Sequence, residues 1–157
     1  INKGELAPDF TLKDQHGNDF RLSDHKGKKI LLAFHPLAFT GYCNVHMLSI
    51  EVTHDVITGL NTVPVGISVD PLPSKADWAE HLKLKNLRIL SDFWPHGEVS
   101  KAYGMFRGEH GTSKRGNIII DEEGRVAWVK VYRVQYLPDI NEVIETLKVN
   151  QTQYARI

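Results

Sequence analysis

The order of apolar and polar positions along the chain predicts a mixed α/β protein. Two short alternating runs, around Phe10–Leu12 and Phe20–Leu22, flank the polar segment Gln15–Asn18 and predict an N-terminal hairpin. The continuous apolar run KKILLAFH, ended by Pro36, predicts a strand buried on both faces. After the loop PLAFTGY, Val45, Leu48, Val52 and Val56 recur at helical spacing, and Gly59 stands where that helix would end. TVPVGISVD predicts a second buried strand. SKADWAEHLKLKN predicts a helix opened by Ser74, with Asp77 three residues on as its capping partner. NLRIL reads as a third short strand and HGEVSKAYGMF as a short helix. RGNIIID and RVAWVKV flank Glu122–Gly124 as a hairpin, and Ile140, Val143, Ile144 and Leu147 give a last helix its apolar stripe. Two strands, then βαβαβα, then ββα imply a mixed central sheet flanked by helices on both faces.

Composition narrows the class. The 157 residues contain no repeat or low-complexity run, and they suit one domain over residues 1–157. A globule of this size buries roughly 68–70% of its unfolded surface, enough for a core without covalent staples. Nineteen Lys and Arg balance nineteen Asp and Glu. A nucleic-acid binder would show a basic excess, so that partner is not expected. No apolar stretch approaches the roughly 20 residues that span a bilayer, and no signal-peptide pattern opens the sequence. The expectation is a cytoplasmic protein without a membrane partner. The single cysteine, Cys43, excludes an intrachain disulfide.

Cys43 falls where a buried strand has just ended and a helix begins. Unpaired N–H groups and the positive end of the helix dipole favour a thiolate there. Thr40 offers a hydroxyl that can donate to the sulfur or to a bound oxygen. A neighbouring cation would favour the thiolate further. Two readings stand side by side: free cysteine is among the most buried residue types and can be an inert core group, or Cys43 is a reactive thiol.

Pro36, Thr40 and Cys43 in HPLAFTGYC carry the P-x-x-x-T-x-x-C signature, and with it the chain resembles the peroxiredoxins. APDFTLKDQHG, LLAFHPLAFTG, LSDFWPHGEVSKAYGMF and RGNIIIDEEGRV are also similar to peroxiredoxin segments, in the same order. PLAFTG and SDFWPHG point to the subgroup that resembles bacterial alkyl hydroperoxide reductase E. The resemblance implies a thioredoxin-like fold with an N-terminal β-hairpin extension. It implies a thiol peroxidase that reduces hydrogen peroxide or organic hydroperoxides through a sulfenic acid at Cys43. Thr40 would hold the sulfur and the peroxide, and Pro36 would shield the pocket. Arg115 would set a planar fork against sulfur and peroxide oxygen together. Gly41, Tyr42, His46 and Phe39 are candidates for lining the pocket. No cofactor is implied. The partners would be a peroxide, an external thiol reductant (a small thiol or a thioredoxin- or glutaredoxin-like protein) and further copies of the chain, as a homodimer or higher homo-oligomer. The alternative is a monothiol redox sensor that relays oxidation to a partner protein.

Three positions depart from the family pattern. His46 stands where Glu or Gln is common, one helical turn from Cys43; neutral it can accept or donate, and protonated it favours a thiolate. Leu48 stands where some members carry a second cysteine. His35 replaces a more usual aromatic residue and reads as a packing substitute. Cys43, His46 and His35 do not supply the paired motifs of a structural zinc site, so no metal is expected.

Overall fold

A computed structural model describes the backbone of residues 1–155 and the side-chain surroundings of residues 1–149. The strands are β1 (Thr11–Asp14), β2 (Asp19–Arg21), β3 (Lys29–Phe34), β4 (Thr62–Ser68), β5 (Arg88–Ser91), β6 (Phe106–Arg107), β7 (Thr112–Ser113), β8 (Arg115–Ile120) and β9 (Val126–Tyr132). The helices are α1 (Gly41–Val52), α2 (His54–Gly59), α3 (Leu72–Leu82), α4 (Glu98–Ala102) and α5 (Ile140–Ala155). Seven strands form one sheet in the order β2-β1-β5-β4-β3-β8-β9. The central β3, β4 and β5 run parallel, while the N-terminal hairpin and the β8–β9 hairpin add antiparallel edges. This is the mixed sheet the sequence predicts, in a thioredoxin-like fold. The two-stranded β6–β7 ribbon was not predicted, and its first residue, Phe106, closes the segment expected as a short helix, which ends at Ala102.

Side chains alternate across a strand, and that parity builds the site. On β3, Ile30, Leu32 and Phe34 enter one core with Leu12, Phe20, Ile67 and Tyr103. Leu31 and Ala33 enter the other, with Cys43, Met47, Ile50, Trp78, Ile119 and Val143. His35, next in the odd series, therefore faces the helices α1 and α3. The β3–β8 register pairs Ala33 with Asn117 and Phe34 with Gly116. Asn117 and Arg115 thus project from β8 toward the same helical layer as Ile119.

Two helix expectations are corrected. α1 buries Cys43, His46, Met47 and Ile50, whereas Val45, Val56 and above all Val52 (81% exposed) lie outside. Both stripes satisfy the helical period, and the sheet selects the one that fills its own surface, although that stripe contains a histidine and a cysteine. The segment also breaks into two helices at Thr53, whose hydroxyl donates to the Ser49 carbonyl. α3 starts at Leu72, not at Ser74, and has no side-chain cap. Pro73 in its first turn lacks one of the N–H groups a cap would satisfy.

Gly66, opposite Ala33 on β4, shows how closely the layers meet. A Cβ there would lie 2.6 Å from Met47 Sδ and 3.2 Å from His35 Cε1. Met47 can swing aside, but the His35 ring is pinned by hydrogen bonds at both nitrogens. Gly66→Ala is therefore expected to cost about 1–3 kcal/mol, as overpacked cores do. Urea unfolding checks this; an unchanged midpoint would mean that Met47 alone absorbs the methyl group.

Candidate active site

β3 delivers the chain to Pro36, which is buried, and the loop then turns through Phe39, held at a left-handed φ of 65°. Asp70 clamps this loop by accepting from the Ala38 N–H at 2.8 Å and from the Ser68 hydroxyl at 2.6 Å. α1 begins at Gly41, and its first backbone bond runs from the Asn44 N–H to the Thr40 carbonyl at 2.8 Å. Cys43 is accordingly in the first turn, fully buried as a free thiol. Gly41, Tyr42, Thr40 and Phe39 are exposed at the helix start. The Thr40 hydroxyl donates to the Leu37 carbonyl at 3.0 Å, not to the sulfur as the sequence reading allowed.

Arg115 is the side chain that turns this geometry into chemistry. It is 1% exposed, and each of its nitrogens has a partner. Nη2 donates to Cys43 Sγ at 3.3 Å, Nη1 to His46 Nδ1 at 3.2 Å, and Nε to the Val134 carbonyl at 3.0 Å. The buried guanidinium thus sets a positive charge and a directed donor against the sulfur.

His46 is buried, not a surface histidine. Its Nδ1 accepts from Arg115, and its Nε2 lies 3.4 Å from Asn117 Oδ1, which fixes the Nε2–H tautomer. Burial first, and the Arg115 charge second, pull its pKa down to about 3, so the ring is neutral at ordinary pH. It orients Arg115 and adds no charge of its own. His35 is likewise buried, and its Nδ1 lies 3.1 Å from the Ala33 carbonyl. Burial, followed by the neighbouring Lys75, holds it well below its ordinary value of 6.5. It packs 5.2 Å from the Trp78 ring, as a packing substitute should, but its Nε2 also meets Lys75 Nζ at 2.8 Å.

Sequence reading missed Lys75, Asn117 and the Val134 carbonyl. A signal for Lys75 existed: it precedes Trp78 and Ala79 by three and four residues, on the buried face of α3. Asn117 is a polar residue in an otherwise apolar strand run. Among the described residues, no three His, Cys, Asp or Glu side chains gather where they could hold a metal ion.

Comparison with known proteins follows the same lines. The family described as "AhpC/TSA family" matches residues 3–129. Alkyl hydroperoxide reductase E of Mycobacterium tuberculosis is 37% identical over 132 residues, covering 83% of this chain and 86% of that protein. Peroxiredoxin Bcp of Bacillus subtilis is 31% identical over 152 residues, covering 94% and 96%. The fold is similar to that of reduced Plasmodium vivax 2-Cys peroxiredoxin, with a TM-score of 0.89 at 23% identity, over 99% of this chain and 84% of that one.

The two buried neutral histidines make stability depend on pH. Their folded-state pKa values lie below the ordinary 6.5, so the unfolded chain takes up protons first as pH falls. Stability is therefore expected to drop as pH falls below 6.5, by up to about 1.4 kcal/mol per pH unit for each ring. Urea unfolding across a pH series checks this, and His46→Gln should make the decline shallower. An equal slope in that variant would remove His46 from the account.

Proposed function

The chain belongs to the AhpC/TSA family of peroxiredoxins and is a thiol-dependent peroxidase, and on that premise we propose that Cys43 is its peroxidatic nucleophile. The observation that carries this reading is the 3.3 Å contact between the buried Arg115 guanidinium and Cys43 Sγ. The Cys43 thiolate attacks the terminal oxygen of a hydroperoxide. An S–O bond forms as the O–O bond breaks; sulfur is oxidised to a sulfenic acid, and the leaving oxygen takes a proton to depart as water or an alcohol. Charge moves from sulfur to that oxygen, and Arg115 Nη2 lies where both can be met, so it stabilises the transition state more than the ground state. The Thr40 hydroxyl turns from the Leu37 carbonyl to the bound peroxide. Pro36, buried beside the loop, limits water at the sulfenic acid. Phe39, Gly41 and Tyr42 form the exposed entrance, and His46 holds Arg115 in register.

The 157 residues hold one thiol, so the sulfenic acid is resolved from outside them. An external thiol attacks the sulfenic sulfur and releases water, giving a mixed disulfide that a second thiol cleaves. A cytoplasmic location belongs to the same reading. Self-association into a homodimer or higher homo-oligomer belongs to the same reading, supported by the exposed apolar Leu37, Phe39, Phe93 and Trp94. The monothiol-sensor alternative is not favoured, because the relatives are named as reductases and peroxiredoxins.

Cys43→Ser is expected to abolish peroxide consumption, and Arg115→Lys to slow sulfur oxidation about 100-fold with the fold retained. Stopped-flow oxidation with circular dichroism checks both, and an undiminished rate in Arg115→Lys would take Arg115 out of the site. Mass spectrometry of the peroxide-treated protein with small thiols, or with thioredoxin- and glutaredoxin-like proteins, is expected to show a mixed disulfide on Cys43. A sulfenic acid that persists with every thiol offered would rule out external resolution.

A further inference from the structure

One polar side chain in β8 breaks the apolar character of its strand. Asn117 stands in the run RGNIII, where every residue is buried and three isoleucines follow it. Asparagine is disfavoured in strands, and its amide loses water there unless hydrogen bonds replace it. Its partner is specific. Asn117 Oδ1 lies 3.4 Å from His46 Nε2, and the other ring nitrogen, Nδ1, lies 3.2 Å from Arg115 Nη1. Arg115 Nη2 then reaches Cys43 Sγ at 3.3 Å. Every link from Asn117 to the sulfur is thus a direct contact. A guanidinium offers donors only, so Nδ1 must carry the ring's lone pair and Nε2 its proton. In the other tautomer, two N–H groups would face each other within a buried layer.

We propose that Asn117 is a positioning residue for the peroxidase step, because its side-chain oxygen holds His46 in the one tautomer that turns the Arg115 fork onto Cys43. This rests on the peroxidatic reading of Cys43. A side-chain amide has an accepting end and a donating end, so Asn117 serves in only one of its two orientations. Tyr132 on β9 selects that orientation. Across the β8–β9 register Arg115 pairs with Tyr132 and Asn117 with Lys130, so all four share a face and Tyr132 is the diagonal neighbour of Asn117. Tyr132 is hydrogen-bonded to the Asn117 side chain, and burial pushes its hydroxyl up to about 12, so it keeps its proton. That proton points to Glu142 Oε1 at 3.4 Å, and Lys130 anchors Glu142 at 2.8 Å. The Tyr132 oxygen is left to accept, which turns the amide N–H toward Tyr132 and the amide oxygen toward His46. The donors therefore run one way, from Arg115 through His46, Asn117 and Tyr132 to the Glu142 carboxylate, and links in such a chain strengthen one another.

Nitrogen NMR of the isotopically labelled histidine rings reads the tautomer, with the His46 signals identified by their absence in His46→Gln. The wild-type ring should show a bare Nδ1 and a protonated Nε2. Asn117→Leu, which suits an apolar strand but offers no acceptor, is expected to lose that single tautomer. The same variant should slow oxidation of Cys43 by hydrogen peroxide, read as loss of free thiol, about tenfold, the worth of one buried hydrogen bond. Tyr132→Phe frees the amide to turn and should move both readouts the same way by a smaller factor. It stands in for Asn117→Leu should that variant fail to fold. With a wild-type thiol that peroxide oxidises, either change without the other, or neither, would overturn the proposal; a merely structural asparagine would slow oxidation with the tautomer kept. A wild-type thiol that resists peroxide would instead refute the peroxidatic reading before any variant is compared, and take the proposal with it.

Discussion

Taking the Arg115 guanidinium out of water creates a demand for acceptors that the residues around it are placed to meet. A carboxylate would meet it most simply, but it would also neutralise the charge that faces Cys43. The site uses a backbone carbonyl, a neutral imidazole and the sulfur itself. The positive charge therefore stays directed at Cys43. The other polar choices follow: His46 must remain neutral to accept from Arg115, and Asn117 is positioned to hold its other nitrogen.

The same logic explains why two histidines lie so close to two cations. The His35 and His46 rings are 6.5 Å apart, each with a cation on the nitrogen that accepts. Desolvation and the neighbouring charge both oppose protonation, so each ring acts as a fixed dipole that orients a cation. Cys43 then sits on a helix start whose unpaired N–H groups add to the field. Function here depends on an arrangement that costs folding energy, and the dense packing of the two cores on either side of the sheet offsets that cost.

Much of this was legible in the sequence. The run KILLAF reads as a doubly buried strand because both faces of β3 are covered. The spacing of Pro36, Thr40 and Cys43 marks the loop and the helix start, and Arg115 follows from the resemblance. The phase of α1 was not legible. Val45 and Val52 belong to the more apolar stripe, yet α1 turns them outward to seat Cys43, His46 and Met47 on the sheet. Lys75 was only partly legible: its spacing from Trp78 and Ala79 marks the buried face of α3, but a lysine reads as solvated until its partner His35, beyond the end of β3, is known.

The sequence by itself determined the order of the main elements, the position of the single thiol and the absence of a second one among the 157 residues. These are local or countable properties, set by periodicity, breakers and composition. Tertiary structure alone decided that residues 35, 43, 46, 75, 115 and 117 share one buried layer. It also decided that both histidines are neutral. Those outcomes depend on strand parity across a register between β3 and β8, and on desolvation, which no residue's own neighbours in sequence can fix.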